Sequence, residues 1–338
     1  MAPPRPVSLA QAHPYRLPKL LEDIRLLDLL ELSGTTVRTS RLMQLSQPTI
    51  SRRYRSLAAD FGLVRDRRQL WGCGYGTSAS MRLLRLGCRA HRLAAGKARI
   101  GSDLLHHPLL AGCPWLLPTP QRFRAAAYWL ELVRQGVLDG ALISGLELEA
   151  AAGLNDQELE LLPLGELPLA LAFCPEAPGL VGAAPGLPDP GQPDPGLPDP
   201  GLPAAGGQMS EVLVPDRGVA PGLWRLLQEL GLSLRSGGNS LQTPNDWIGR
   251  IQGSALALVV ADREADTWAA LQRWPLGHGP LGHGPMAQGA LASSTHSPVW
   301  LVLPADWQQH QVLRHTAQVL RHTAQELGRI GAEQQLEG

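Results

Sequence analysis

One proline-rich repeat limits what this chain can fold into more than any other segment. Residues 186–203 read GLPDPGQPDPGLPDPGLP. Proline fixes its own φ angle and lacks the backbone N–H, so this run cannot continue a helix or a hydrogen-bonded ladder, and it has little apolar surface to bury. We therefore predict a disordered or polyproline-like surface insertion over residues 177–208. A proline tract that docks in an aromatic-lined groove of a partner is the alternative interpretation.

The charges of the chain are segregated although they sum to zero. The first 100 residues hold 18 Lys and Arg against 6 Asp and Glu, whereas the rest of the chain holds 12 against 24. Nearly all of the positive charge is arginine, whose planar fork matches phosphate oxygens and guanine edges. The asymmetry indicates that the first part binds nucleic acid. The base composition of the genome is a second explanation of the arginine content.

The sequence contains no signature of an enzyme, a metal centre or a membrane protein. The four cysteines show no CxxC spacing, so neither a disulfide framework nor a zinc site is expected. No P-loop, HExxH or GxSxG motif is present, and the GxGxxG-like run at 277–282 comes from a repeat rather than from a strand-to-helix turn. No apolar run reaches about 18 residues. We predict a cytoplasmic, non-enzymatic protein that needs no cofactor.

The first part has the periodicity of three short helices. Leucine and isoleucine recur at helical spacing from Leu20 to Leu30, which predicts an amphipathic helix that ends near Ser33 and Gly34. A second helix is predicted over residues 37–45. A third is predicted to start at Ser46 and to run to about residue 59, before a glycine.

The third predicted helix has two distinct faces. Ser46 is suited to cap its N-terminus, and Pro48 falls in the first turn, where the missing N–H costs nothing. Ile50, Tyr54 and Leu57 lie on one side and form a buried stripe. The opposite side is polar, cationic and compact, as a helix in the major groove requires. That side comprises Pro48, Thr49, Ser51, Arg52, Arg55 and Ser56.

Three helices followed by the basic run LVRDRRQLW, residues 63–71, are typical of a winged helix-turn-helix. The order of residues 33–63 resembles the DNA-binding domain of the LysR-type transcriptional regulators. The family signature Ser-Gln-Pro-(Ala/Thr)-(Val/Ile)-Ser is matched by Ser46 to Ser51. The chain departs from the family at Thr39 and Ser40, where paired alanines are usual, and at Tyr54, where isoleucine is usual.

The resemblance implies an α/β protein with three parts. Residues 1–76 would form the winged helix-turn-helix DNA-binding domain and residues 77–97 a linker helix for dimerisation. Residues 98–338 would form a periplasmic-binding-protein-like α/β effector-binding domain of two subdomains, interrupted by the insertion at 177–208. The partners would be double-stranded DNA, a small-molecule effector and further copies of the chain in a homodimer or homotetramer.

Placing the third helix in a major groove gives a role to each candidate DNA-contacting residue. Gln47, Thr49 and Arg52 would contact base edges. Pro48, which lies between Gln47 and Thr49, belongs to the same DNA-binding set. The phosphates would be contacted by Ser51, Arg53, Arg55, Arg65, Arg67 and Arg68.

The linker segment offers two interpretations. Leu83, Leu86, Ala90 and Leu93 are spaced by 3, 4 and 3 residues, which is the seam of a short coiled coil. In the resembled family this helix pairs two subunits. A core helix that packs on its own domain is the other interpretation.

Beyond residue 99 apolar strands alternate with helices, which predicts a parallel α/β sheet. By position in the family, Ser102 could bind an anionic effector at a helix N-terminus. Ser240, Gly253 and Ser254 could contact the same effector, and ordinary turn chemistry is the alternative for each of them.

The repeats at 276–285 and 311–324 are interpreted as duplications, and a seven-residue duplication leaves the buried stripe of a helix in place.

These features together predict a sequence-specific transcriptional regulator that responds to a small-molecule effector. The competing interpretation is a small-molecule-binding or enzymatic α/β protein with a degenerate, non-specific DNA-binding appendage. The two differ in whether DNA affinity depends on base sequence.

Overall fold

Residues 18, 21–66, 73–150, 157–174, 211–238, 243–252, 254, 256–261, 271–275 and 295–336 are described by a computed structural model of the chain. They divide into two units, the first formed by residues 1–167, 218–220 and 297–338, the second by residues 168–217 and 221–296. The predicted insertion at 177–208 and the repeat at 276–285 lie outside the described residues. The domain boundaries expected near residues 76 and 97 fall inside the first unit and remain predictions.

Local sequence sets the ends of the three N-terminal helices. α1 (Glu22–Ser33) ends at Gly34, whose φ of 74° lies in the left-handed region that glycine tolerates. α2 (Thr36–Met43) starts after Thr35, whose side chain accepts a hydrogen bond from the N–H of Arg38. α3 (Gln47–Phe61) follows Ser46 and ends at a second left-handed glycine, Gly62. The three helices predicted from periodicity and caps are confirmed, with bounds that differ by a few residues.

α1 is buried on several sides. Leu27 and Leu30 pack with Ile50 and Leu57 of α3 in one apolar cluster, whereas Leu32 belongs to the cluster beneath the first sheet. Because the C-terminal part of the helix is enclosed, three of its polar residues are buried too, namely Asp28, Glu31 and Ser33. Buried polar groups need partners, and these partners organise the first unit.

α4 (Ala79–Ala94) packs on its own chain through an unusually charged face. That face is formed by Met81, Arg85, Cys88, Arg89, Arg92 and Leu93, all of them buried. Of the predicted coiled-coil seam, Leu93 is buried and Leu83 is 69% exposed. Pairing of two copies through the outer side of α4 remains a prediction.

The first unit contains a short sheet covered by helices. β1 (Ile100–Gly101) runs parallel to β2 (Gly140–Ser144), and α5 (Ala126–Arg134) lies between them in the chain. β8 (His296–Pro304) pairs antiparallel with β2, and α6 (Gly145–Ala150) follows β2 directly. The last helix, α9 (Gln311–Leu336), contacts the short 3-10 helix His107–Leu110.

The second unit is built on a mixed sheet. β3 (Leu159–Phe173) starts in the first unit and pairs antiparallel with β6 (Leu256–Ala261) and β7 (Gln272–Pro275). β4 (Glu211–Val214) runs parallel to β5 (Leu234–Ser236) and to β6. The helices α7 (Pro221–Glu229) and α8 (Pro244–Ile251) connect these parallel strands.

The strand pairs are both parallel and antiparallel, which corrects the prediction of a parallel α/β sheet. The strands that a helix connects, β1 with β2 and β4 with β5, are parallel, as such crossover connections require. β3 and β8 have antiparallel neighbours. Apolar runs predict buried strands but contain no information on strand direction, so the sequence pattern could not distinguish the two arrangements.

The seven-residue repeat at 311–324 does lie in a helix with a continuous buried stripe. Leu313, Ala317, Leu320 and Ala324 are buried along α9. Since two turns of a helix nearly equal seven residues, the duplicated segment presents the same face as the original.

Within the described part of the chain, none of the helices is both long enough and apolar enough to cross a membrane.

Candidate nucleic-acid interface

The N-terminus of α3 is fixed by its own hydroxyl groups. Oγ of Ser46 accepts a hydrogen bond from the backbone N–H of Thr49 at 3.3 Å and lies 2.8 Å from the hydroxyl of Thr49. Pro48 occupies the first turn, where a helix leaves its N–H groups without intrahelical partners. The Ser-Gln-Pro-Thr start therefore forms a rigid, capped helix end.

The inner side of α3 docks by the predicted stripe. Ile50 and Leu57 are buried, and Tyr54 packs beside them. The hydroxyl of Tyr54 donates to the backbone oxygen of Tyr75 at 3.2 Å, and the two rings meet edge to face with centroids 5.2 Å apart. Tyr54 stands where the resembled family has isoleucine, and this contact with Tyr75 gives the larger residue a structural partner.

The outer side of α3 presents most of the predicted DNA-contacting residues. Gln47, Pro48, Arg52 and Arg55 are exposed, while Thr49 and Ser51 are half-buried at the edge of this face. Nε2 of Gln47 donates to Oγ1 of Thr36 at 3.2 Å, which places the first residue of α2 beside the first residue of α3. A capped helix with such a face has the polar groups that base edges and phosphates can pair with.

Two predicted phosphate-contacting residues, Arg53 and Arg65, differ from this pattern. Nε of Arg53 donates to Asp23 of α1 at 2.9 Å, so its guanidinium is engaged within the chain. The guanidinium of Arg65 lies over the ring of Tyr75, 4.5 Å from the centroid. Arg67 and Arg68 lie outside the described residues.

A buried hydroxyl pair, which sequence reasoning missed, joins α1 to α2. The hydroxyls of Ser33 and Thr39 are 2.6 Å apart, and Thr39 also donates to the backbone oxygen of Thr35 at 2.9 Å. Thr39 is one of the two positions at which the chain departs from the paired alanines of the resembled family. The sequence shows only that Ser33 and Thr39 are six residues apart, and helix periodicity does not show which polar residues pair.

Four arginines of the first hundred residues are buried and not exposed to solvent. Arg85 and Arg99 pair with the two carboxylate oxygens of Asp28 at 2.9 and 3.0 Å. Arg92 pairs with Asp139 at 2.6 Å. We call the set Asp28, Arg85, Arg89, Arg92, Arg99 and Asp139 the buried charge cluster.

The buried charge cluster ties α1 and α4 to the start of the first sheet. The backbone N–H of Arg99, the residue before β1, donates to Asp139 at 2.7 Å, and Asp139 directly precedes β2. Arg89 donates to the backbone oxygen of Leu138 at 2.6 Å. These contacts hold the pKa of the Asp139 carboxyl below its usual value despite full burial, because Arg92 and Arg89 stabilise the carboxylate.

Glu31 is a buried carboxyl group next to these helices. One carboxylate oxygen accepts a hydrogen bond from the backbone N–H of Tyr75 at 2.8 Å, and the other accepts one from the hydroxyl of Tyr128 at 3.3 Å. Burial raises the pKa of Glu31 to about 7, although Arg85 and Arg124 oppose the shift. The group therefore changes charge near neutral pH.

The predicted effector-binding residues do not form a described cluster. Ser102 is buried after β1, and its hydroxyl lies 3.2 Å from Nδ1 of His107. The hydroxyl of Ser254 donates to the backbone oxygen of Ile251 at 2.9 Å, which is ordinary turn chemistry. Ser240 and Gly253 lie outside the described residues. Among the described residues no group of three or more His, Cys, Asp or Glu could hold a metal ion.

The chain is similar to a number of solved structures. No protein-family model and no curated protein matches this sequence. Full-length OxyR C199D from Pseudomonas aeruginosa is similar at 13% identity and a TM-score of 0.43, covering 91% of this chain and 95% of that one. CbnR complexed with its target DNA is similar at 13% identity and a TM-score of 0.43, covering 90% and 99%.

A third similar solved structure is that of HinK, a LysR family transcriptional regulator from Pseudomonas aeruginosa. It is 15% identical with a TM-score of 0.40, covering 90% of this chain and 98% of that one. At TM-scores of this size the superposition does not establish a family. The assignment of function therefore depends on the residues of this chain.

Proposed function

We propose that the chain is a sequence-specific, DNA-binding transcriptional regulator of the LysR type. Its α/β part would bind a small-molecule effector and shift how two copies of α3 lie on half-sites. The regulator would be a non-enzymatic, cytoplasmic homodimer or homotetramer. The observation that carries the proposal is the two-faced α3, capped by Ser46, docked through Ile50 and Leu57, and exposing Gln47, Arg52 and Arg55.

The residue roles follow from the position of each side chain on α3. Arg52 is exposed in the N-terminal half of α3, the part of a recognition helix that contacts base edges, and we assign it to a base edge together with Gln47 and Thr49. Arg55 lies one turn further from the N-terminus and is assigned to a phosphate. Arg65 belongs to the segment after α3 and is assigned to a phosphate as well.

The proposal is tested by titrating the purified protein with a duplex taken from beside its own gene, in the presence of unrelated competitor DNA and at several salt concentrations. We expect a specificity ratio of at least about 10³. Arg52→Ala should lose about 1–3 kcal/mol and relax the preference at one base pair. Arg55→Ala should weaken binding to all sequences alike and lower the log-log salt slope by about 0.9.

If wild type and Arg52→Ala bind all DNA alike, with only a steep salt dependence, the basic face is a general polyanion-binding surface. The chain would then be a small-molecule-binding or enzymatic α/β protein with a non-specific DNA-binding appendage. In that case ligand binding would persist after the DNA-facing residues of α3 are replaced.

A further inference from the structure

The turn between α1 and α2 is surrounded by arginines from distant parts of the chain. The guanidinium of Arg122 lies directly against Gly34, in the space that a Cβ atom at this position would occupy. The hydroxyl of Tyr75 donates to the backbone oxygen of Gly34 at 3.1 Å, and Nη2 of Arg65 lies 3.2 Å from the same hydroxyl. Arg124 donates to the backbone oxygens of Glu31 and Leu32.

Arg122 has no acidic partner in the part of the chain that the structure describes. Burial, together with the neighbouring cations Arg124 and Arg38, lowers its pKa to about 10, so it stays charged at neutral pH. Glu31, whose backbone oxygen accepts from Arg124, is half neutral near pH 7 because burial raises its pKa to about 7. Nε of Arg124 is also buried without a hydrogen-bond partner. The turn therefore carries more positive than negative charge.

This cationic turn is continuous with the DNA-facing side of α3. Thr36, two residues after Gly34, accepts the hydrogen bond from Gln47, the first residue of α3. The amides of the first turn of α2 add the positive end of a helix dipole. In a helix-turn-helix the first helix of the motif crosses the sugar-phosphate backbone, so a duplex that lies along α3 passes this turn.

We propose that Arg122, together with Arg65 and the first turn of α2, binds a phosphate oxyanion, and that its source is a backbone phosphate of the DNA that α3 contacts. The inference rests on the proposed function. It extends that function because Arg122 belongs to the segment predicted as the effector-binding domain, not to the predicted DNA-binding domain. A residue from that segment would contribute directly to DNA affinity without reading bases. Free inorganic phosphate is the other source of the same chemistry.

The test compares Arg122→Gln with Arg314→Gln, which removes the same charge from an exposed position of α9. Affinity for the duplex is measured from 50 to 200 mM salt. Loss of one phosphate contact should lower the log-log slope by about 0.9, equivalent to a three- to fourfold smaller change of affinity over about this range. Arg314→Gln should leave the slope unchanged, and the ratio between specific and unrelated DNA should stay the same in both variants.

A second measurement identifies the source of the phosphate. The thermal midpoint is recorded without DNA in phosphate and in chloride at equal ionic strength. If phosphate stabilises wild type but not Arg122→Gln while the DNA slope is the same in both, the oxyanion is free phosphate and the DNA assignment is overturned. If Arg122→Gln matches Arg314→Gln in both measurements, the oxyanion site itself is overturned.

Failure of the oxyanion site can be distinguished from a loss of folding and from a failure of the proposed function. Arg122 is half-buried and lacks an acidic partner among the described residues, so its replacement should not lower the thermal midpoint. Arg122→Met, which keeps the apolar stem, serves as a second neutral variant. If wild type shows no preference for specific DNA, the proposed function fails. The slope on unrelated DNA then still reports whether Arg122 contacts a phosphate.

Discussion

Single arginines have opposite roles in the first hundred residues. Arg52 and Arg55 face solvent on α3, whereas Arg85, Arg92 and Arg99 are buried against carboxylates. The excess of basic residues in the sequence therefore overstates the charge that DNA could meet. Sequence counting could not distinguish the two groups, because the partners of the buried arginines include Asp139, which is distant in sequence.

Removal of one carboxylate from the buried charge cluster should be costly. Asp28→Asn leaves Arg85 and Arg99 without their shared counter-charge in a site where Asp28 is 1% exposed, so we expect a loss of about 3–5 kcal/mol in the free energy of unfolding. Urea denaturation at neutral pH measures it. Asp23→Asn, which breaks the half-exposed pair with Arg53, is the matched control and should cost less than about 1 kcal/mol. Equal losses in the two variants would show that the cluster does not stabilise the fold.

Glu31 predicts a specific dependence of stability on pH. Its pKa is raised from 4.5 to about 7 in the folded protein, so the folded state holds the proton more tightly than the unfolded state. Its contribution to stability is complete below pH 4.5 and is lost as the pH rises to about 7, by roughly 3 kcal/mol in all. The stability of wild type minus that of Glu31→Gln should therefore fall between pH 5 and pH 8. Glu22→Gln, at an exposed position of the same helix, should show no such trend, and a flat difference for Glu31→Gln would contradict the account.

Whole helices were more predictable than the contacts between them. Caps and periodicity are local, so Ser46, Gly34 and Gly62 define the ends of α1 and α3 from neighbouring residues alone. The packing of α4 is not local, because half of the residues on its buried face are arginines, which periodicity classifies as solvent-facing. The strand directions likewise depend on how the chain returns to a sheet. For these reasons the inner and outer sides of α3 could be predicted, whereas Arg122 near Gly34 could not.

The cap of α3 gives a test at the level of the helix. Ser46→Ala removes the side chain that accepts from the N–H of Thr49, and we expect a loss of about 1 kcal/mol in stability. DNA affinity should fall as well, because the orientation of Gln47 depends on this helix end. Ser56→Ala, on the exposed side of the same helix, should change stability by less than about 0.5 kcal/mol. If the two variants have the same denaturation midpoint, the side chain of Ser46 does not stabilise α3.

At the scale of the whole molecule, the account requires two copies of α3 on one duplex. The outer side of α4 offers Leu83, an exposed leucine beside the half-buried Leu86 and Ala90, for pairing between copies. Leu83→Glu should shift the protein from dimer or tetramer towards monomer in sedimentation velocity, because a charge in an apolar seam is unfavourable. Leu161→Glu, on β3, is the control for a charge at another exposed leucine. If Leu83→Glu sediments as wild type does, α4 is not the pairing element.

The most direct test of sequence-specific DNA binding is selection from a pool of random-sequence duplexes with the full-length protein. We expect enrichment of one short motif, present as two related half-sites about 10 base pairs apart or at a multiple of that distance, and loss of this enrichment in Arg52→Ala. A pool that stays random after repeated rounds, while the protein still retains DNA at low salt, would show that the chain does not recognise DNA sequence. It would leave α3 as a surface that binds polyanions without reading their sequence.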